Sequence, residues 1–355
     1  MMLFRYLRAC DAARGGHLVV SMMPRGPVAG MIESLGVEVV DLGARSAAGI
    51  PAAVVRLAAI LARRRPAAVH GWMYHGSLVA TLALLLAGRS RTGLVWAIHH
   101  SLADPRNERR TTRAVLHGLR RLAGRADAIT YCSRESARQH AAFGLPGDRA
   151  LFVPNAIDMD EFRPDPAARA RLCAAAGLPE GRIIIGSVAR AHPMKDHATF
   201  ARTIAILARR GLDVHGLLIG AGQPEGEGAR VAAGAGIADR LTALPARGDV
   251  AALMPGFDLY LLSSAWGEAL GLAVAEAMAS GVPAVVTDVG DCGWLVGATG
   301  GVCPPRRPEL MADACQRLLS LPPAERAGLS AACRARIAQE LSMPGAPCVE
   351  DEQFT

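Results

Sequence analysis

From residue 18 onward, short apolar runs with strand character alternate with longer helical ones, and this alternation constrains the fold more than any other feature of the chain. In the first half, strands are predicted at 18–22, 67–70, 94–98, 128–131 and 150–153, and helices at 52–65, 76–87, 112–123 and 133–143. Pro51 sits near the first turn of the first of these helices, Val115, Leu119 and Leu122 share one face of the third, and Ser133 is placed to cap the fourth. The rhythm resumes in the second half, with strands at 183–188, 214–219, 241–243, 259–262 and 284–287 and helices at 198–210, 250–254, 271–280, 308–319 and 323–340. Alternation of this kind demands parallel sheets covered on both faces, so the fold class is α/β. Such sheets bind ligands outside the carboxyl ends of their strands. The rhythm breaks at 154–166, PNAIDMDEFRPDP, which carries three prolines. The break predicts a first domain over 1–157, a second over 158–340 and, from the proline-containing acidic end, a disordered tail over 341–355.

Charge and cysteine usage narrow the partners. Thirty-nine Lys and Arg against 32 Asp and Glu leave a net charge of +7. That balance suits nucleotide diphosphates, anionic lipid headgroups or nucleic acid. No RNP, zinc-finger or helix-turn-helix pattern supports nucleic acid, which is therefore not expected. The eight cysteines are scattered, with no C-x-x-C pair and no metal-ligand spacing, and read as reduced thiols. No apolar run approaches the ~20 residues needed to cross a bilayer, and residues 1–10 lack a secretory signal core. A cytoplasmic protein is expected, with a peripheral contact at the anionic inner face of the cell membrane as a further expectation.

Residues 259–290, LYLLSSAWGEALGLAVAEAMASGVPAVVTDVG, read as strand, loop, helix, turn and strand. Glu268 falls in the loop and Glu276 in the helix. An eight-residue step along one helix would turn them about 80° apart; with Glu268 in the loop ahead, both can lean toward the helix's N-terminal end. That end offers the amides of Gly271 and Leu272 and a positive partial charge to a phosphate. Before it, 188–197 (VARAHPMKDH) forms a loop between a strand and a helix that Asp196 can cap. This loop holds Arg190 and Lys195, the only lysine of the chain. A chain that uses arginine everywhere else and lysine once points to a demand for a compact point charge.

The segment E-A-L-G-L-A-V-A-E, with the lead-in S-S-A-W-G-E and the tail A-S-G-V-P-A-V-V, resembles the E-x7-E signature of the retaining family-4 glycosyltransferases. The resemblance implies a GT-B fold, two Rossmann-like domains with parallel sheets facing a central cleft, and a metal-independent transfer of sugar from a nucleotide-diphosphate donor. It implies that Arg190 and Lys195 hold the donor diphosphate, that Glu276 binds ribose and that Glu268 holds the sugar. In V-W-A-I-H-H-S, His100, with His99 as runner-up, matches the family's sugar-contacting histidine. LPARGDV resembles the segment passing the base, where Arg247 would stack or bond. No cofactor is implied beyond the donor, and a glycan or lipid-linked acceptor follows from family habit. D-x-D at 158–160 is not read as a metal site, because P-N-A-I-D-x-D-x-F resembles the family's interdomain segment. G-x-G at 220–222 lacks the third glycine of a dinucleotide fingerprint and is read as a strand-end turn. Trp72, Tyr74 and His75 are read as packing residues rather than an acceptor pocket. Departures from the family pattern also stand. The opening strand and glycine-rich loop are expected to be missing, leaving an edge or a gap in the first sheet, with 14–17 (RGGH) a turn ahead of the second family strand. Gly293-Trp294-Leu295 stands where an acidic residue is usual, and the final crossover helix is not legible. The alternative reading is a non-catalytic glycosyltransferase-like binding protein.

Overall fold

A computed structural model describes residues 2–9, 16–89 and 91–342. Within the described chain the contacts separate two compact units, one ending at Pro154 and one starting at Asn155. In the first, the order is α1 (Met2–Ala9), β1 (Leu18–Ser21), α2 (Pro27–Glu33), β2 (Glu38–Asp41), α3 (Ile50–Arg64), β3 (Ala68–Trp72), α4 (Met73–Leu86), β4 (Gly93–Ile98), α5 (Arg110–Leu122), β5 (Ala128–Tyr131), α6 (Arg134–Phe143) and β6 (Ala150–Phe152). In the second it is α7 (Ala168–Ala176), β7 (Ile183–Val188), α8 (His197–Arg209), β8 (Val214–Ile219), α9 (Glu227–Gly234), β9 (Leu241–Leu244), α10 (Val250–Leu253), β10 (Leu259–Leu262), α11 (Leu272–Ala279), β11 (Ala284–Thr287), α12 (Cys292–Val296), β12 (Gly301–Cys303), α13 (Pro308–Leu319) and α14 (Pro323–Leu341).

The second unit is built on one six-stranded parallel sheet, ordered β12-β11-β10-β7-β8-β9. Its strands are predominantly apolar because both faces are covered. Alternate residues enter different cores: Ile184, Leu217, Tyr260, Leu262 and Val286 pack with α11, α12 and α14, while Ile185, Leu218, Leu259, Leu261 and Val285 pack with α8 and α13. Such period-2 sorting is what a doubly covered strand requires. The segment read as a linker is tied into this unit. The Ile157 amide donates to the Leu341 carbonyl at 2.8 Å, Phe162 is buried, and Arg334 reaches the Met159 and Phe162 carbonyls. Asp158 Oδ1 accepts the amides of Asp160 and Glu161, both at 3.0 Å, so the first carboxylate of the D-x-D closes a turn. The first two residues of the predicted tail belong to this unit: Leu341 completes α14 and Ser342 pairs with Ile157. Residues 343–355 of that tail, and Arg14 and Gly15 of the predicted RGGH turn, lie outside the described residues.

The first unit carries two parallel sheets rather than one: β1-β2, and β3-β4-β5-β6. Among the described residues β1 pairs with β2 alone and β3 with β4 alone. Gly71 is required where β3 meets α4, since a Cβ there would lie 2.5 Å from Ser77 Cα. The six described free cysteines are all buried. Among the described residues no helix is long and apolar enough to cross a membrane.

Three histidines are enclosed: His140, His197 and His215 are at most 3% exposed. In each, burial drives the imidazole pKa down to about 4. His140 is held between the Ser136 carbonyl on Nδ1, at 2.7 Å, and the Tyr74 hydroxyl on Nε2, at 2.8 Å. With Nδ1–H donating to that carbonyl, Nε2 accepts the tyrosine proton, which burial keeps in place by raising the phenol pKa. In the unfolded chain these imidazoles take up protons near pH 6.5, and in the folded chain only near 4. Between those values the unfolded state binds more protons, so stability present above pH 6.5 is lost as the pH falls toward 4. The expected loss between pH 7 and 5 is at least about 2 kcal/mol, read from urea midpoints. His140→Gln should flatten that pH slope; an unchanged slope would remove His140 from the account.

Candidate functional site

Strand order creates the candidate site. From β7 the chain lays β8 and β9 outward in one direction, then returns to lay β10, β11 and β12 on the other side of β7. The topology therefore switches between β7 and β10, which pair through Leu259 with Ile185 and Tyr260 with Gly186. The connection after β7 leads to α8 on one face of the sheet, and the connection after β10 leads to α11 on the other. Two loops that part company at neighbouring carboxyl ends leave a crevice between them, the place where open α/β sheets take ligands.

The β7 loop is held on its outer side by the turn after β8. Amides of Ala189 and Ala191 donate to the carbonyls of Ile219 and Ala221, at 3.0 and 2.8 Å. Gly220 makes this approach feasible: its φ is +154°, and a Cβ would lie 2.1 Å from the Ala189 carbonyl oxygen. The G-x-G is thus a strand-end turn that props the arginine-bearing loop. His192 Nδ1 accepts the Met194 amide at 3.2 Å, closing the turn Pro193–Lys195. Asp196 then caps α8 by accepting the Thr199 amide and hydroxyl, at 3.1 and 2.7 Å. The Arg190 side chain on this loop is exposed.

The β10 loop locks onto the same turn. Ser263 Oγ donates to the Lys195 carbonyl at 2.9 Å, and the Ala265 amide to the Met194 carbonyl at 2.8 Å. Lys195 Nζ donates to Glu268 Oε1 at 2.5 Å, and Ser264 Oγ donates to the same oxygen at 2.5 Å. This ion pair is largely shielded, its side chains being 18% and 9% exposed. Glu268 is thereby turned toward Lys195 and Ser264. Ser264 is fixed in turn, because its carbonyl accepts the Thr287 hydroxyl at 2.6 Å. Behind Glu268 the next loop comes close: Gly290, at φ +62°, would place a Cβ 2.4 Å from the carbonyl oxygens of both Glu268 and Ala269.

Gly271, in the left-handed region at φ +81°, begins α11, and its carbonyl accepts the amides of Val274 and Ala275. Leu272 is the first helical residue, and Glu276 lies one turn further on, half-buried, while Val274, Ala275, Ala277 and Met278 are in the core. The predicted residues thus fall into three groups. Lys195 and Glu268 are in contact. Arg190 shares the β7 loop with Lys195, and Gly271, Leu272 and Glu276 belong to the helix that Glu268 leads into. Arg247, between β9 and α10, forms a two-pronged pair with Asp249, at 2.8 and 2.7 Å, which holds the Asp249 carboxyl below its usual range. Ser264 and Gly290 were not singled out from sequence as site residues; each is recognisable only once the partner strand and loop are known.

His100 belongs to the first unit, just past β4. Its Nε2 meets Glu108 Oε1 at 2.8 Å, its carbonyl accepts the Ser136 hydroxyl, and its ring stands edge-on to Tyr74 at 6.0 Å. His99 stacks on Trp72 with ring centroids 4.8 Å apart. Tyr74 is buried against His140, as a packing residue would be.

Two parallel-sheet halves of Rossmann type define the GT-B class of α/β protein. Residues 7–161 match the model of Glycosyltransferase Family 4, and residues 182–321 that of Glycosyl transferases group 1. Together these matches place the chain in the family-4, group 1 glycosyltransferases. It is 31% identical over 172 residues to the putative glycosyltransferase EpsF of Bacillus subtilis, covering 48% of this chain and 44% of that protein. It is also 31% identical over 220 residues to a GDP-mannose-dependent alpha-(1-6)-phosphatidylinositol monomannoside mannosyltransferase of Mycobacterium tuberculosis, covering 57% of this chain and 54% of that one. The chain spans about half the length of these curated relatives. In fold it is similar to Anabaena HepE, whose structure was solved in complex with UDP, with a TM-score of 0.81 at 20% identity over 96% of this chain and 92% of HepE.

Proposed function

We propose that the chain transfers a sugar from a nucleotide-diphosphate donor to a glycan or lipid-linked acceptor, with retention at the anomeric carbon and without a metal ion. One observation carries the reading: the only lysine of the sequence meets the first glutamate of the E-x7-E segment at the switch point of a parallel sheet, directly ahead of a helix start. A donor there would set its diphosphate against Lys195, Arg190 and the first amides of α11. Those cationic groups would oppose the negative charge that grows on the leaving diphosphate as the glycosidic bond breaks. Glu268 would accept hydrogen bonds from sugar hydroxyls and Glu276 from ribose hydroxyls. Arg247 would approach the base, and His100 is proposed as a sugar contact. Similarity to a GDP-mannose-dependent enzyme acting on a phosphatidylinositol mannoside supports a nucleotide-sugar donor and a lipid-linked acceptor. The fold shared with a UDP-bound protein is in keeping with the same donor class. The positive net charge supports a peripheral site at the inner membrane face.

Calorimetry with UDP-, GDP- and ADP-sugars tests the reading. One of them should bind with a one-to-one stoichiometry, and Glu276→Ala should abolish that binding while the melting temperature holds. Full affinity in the Glu276→Ala protein would refute the ribose assignment, and failure of all three donors would refute the transferase reading. Proton NMR of the product's anomeric centre reads the stereochemistry directly.

A further inference from the structure

Gln223 is fully buried in the turn between β8 and α9, and the proposed chemistry makes no use of it. Its side chain reaches back to the loop that carries both cations of the candidate site. Nε2 donates to the Ala189 carbonyl at 2.6 Å and lies against the imidazole of His197, 3.1 Å from one ring nitrogen and 3.4 Å from the other. Ala189 immediately precedes Arg190, and His197, only 3% exposed, opens α8 just past Lys195. One amide therefore touches both ends of the segment 189–197. Burial keeps the ring neutral, with its pKa down at about 4, so no imidazolium repels the amide.

The Ala189 carbonyl and the Arg190 amide belong to one planar peptide unit, so holding the carbonyl holds the plane from which the Arg190 side chain departs. The peptide units on either side are gripped by main chain, through the Ala189 amide on Ile219 and the Ala191 amide on Ala221. Among the described residues the unit between them is gripped by Gln223. This matters for Arg190 more than for Lys195. Lys195 is seated on Glu268, whereas Arg190 is exposed and forms no ion pair among the described residues. Its place is set by the backbone it grows from. The far end of the same amide argues against a role in packing alone: Oε1 is buried and accepts no hydrogen bond among the described residues. An apolar side chain of equal length would fill the space without an unpaired acceptor, but it would not supply the nitrogen. We infer, on the transferase reading, that Gln223 is a positioning residue: it orients the peptide that carries Arg190 and so aims that guanidinium at the second phosphate of a nucleoside diphosphate.

Calorimetry on the full chain compares UDP, GDP and ADP with UMP, GMP and AMP. For the base that binds, Gln223→Met should weaken the diphosphate by about tenfold and leave the monophosphate within about twofold. The melting temperature should hold, because an unpaired Ala189 carbonyl replaces an unpaired amide oxygen. Gln223→Glu keeps the size of the side chain but sets an oxygen against the Ala189 carbonyl, and should show the same selective loss. Arg190→Ala should also lose the preference for diphosphate, and adding Gln223→Met to it should cost nothing further. An unchanged preference in both Gln223 variants, an equal fall for mono- and diphosphate, or losses that add in the double variant would each overturn this role for Gln223 and leave the transferase reading standing. If the unaltered chain binds none of the three diphosphates, the transferase reading falls and the role of Gln223 with it.

Discussion

Lys195→Ala is expected to lower kcat/KM for the nucleotide sugar by about a hundred- to a thousandfold, the loss seen when one pre-placed electrostatic donor is removed from a site of charge development. The substitution does two things at once, and they can be separated. It removes the ammonium that would face the diphosphate, and it strips Glu268, only 7% exposed, of its charged partner. The second effect costs stability on the order of 3 kcal/mol, because a shielded carboxylate is left with the Ser264 hydroxyl alone. Adding Glu268→Gln should recover most of that stability and none of the donor affinity. Lys195→Arg should not restore activity, since a planar fork cannot replace a point charge seated against one carboxylate oxygen. Donor affinity and kcat/KM within threefold of wild type for Lys195→Ala would remove the lysine from the mechanism.

Gly290→Ala is expected to be strongly damaging although it adds only a single methyl beside the site. The added carbon meets the Glu268 and Ala269 carbonyl oxygens at 2.4 Å, and the φ of +62° is one that residues with a Cβ adopt at a cost. The Ala269 oxygen cannot retreat freely, because it already accepts the Asp291 amide at 2.7 Å. Strain and overpacking together should cost about 3 kcal/mol, a fall in melting temperature of roughly 6–12 °C. Pushing the Glu268 backbone away should weaken donor binding as well. Gly181→Ala is the control: nothing lies within 4 Å of its Cβ position, and it should change stability by less than about 0.5 kcal/mol. Equal melting temperatures for the two variants would show that the loop yields without cost.

Strands that lie deep in the second unit could be read from the chain to the residue. Ile183–Val188, Val214–Ile219, Leu259–Leu262 and Ala284–Thr287 fall where predominantly apolar runs put them, because both of their faces are covered. Elements at the margins left no such mark. Glu38–Asp41 has charged residues at both ends and one buried side chain, and Gly301–Cys303 is a three-residue edge strand with Val302 turned outward. The helices Pro27–Glu33 and Glu227–Gly234 hold glycine in seven or eight residues, too few for a period of 3.6 to show. Helix α4 begins at Met73, three residues before the predicted start at Gly76, as Trp72 passes straight from strand to helix. The site was legible as two separate loops. That they touch was not, because Lys195 and Glu268 stand 73 residues apart and only the strand order makes their loops neighbours. Local pattern encodes each strand's burial but carries no record of which strand lies beside it.

The contact between Lys195 and Glu268 also says something about selectivity. The two charges compensate each other, so the crevice presents less net positive potential than its sequence implies. An incoming anion must pull the ammonium off its carboxylate, and that carboxylate then forfeits a donor inside a poorly hydrated loop. Orthophosphate or pyrophosphate, which carry no alcohol groups, offer it nothing in exchange. In the proposed donor, a sugar attached to the same pyrophosphate would, through hydroxyls able to bond to Glu268 in the lysine's place. If the proposed function holds, the arrangement would disfavour the abundant simple anions of a cell and favour the compound in which polyanion and polyol come joined.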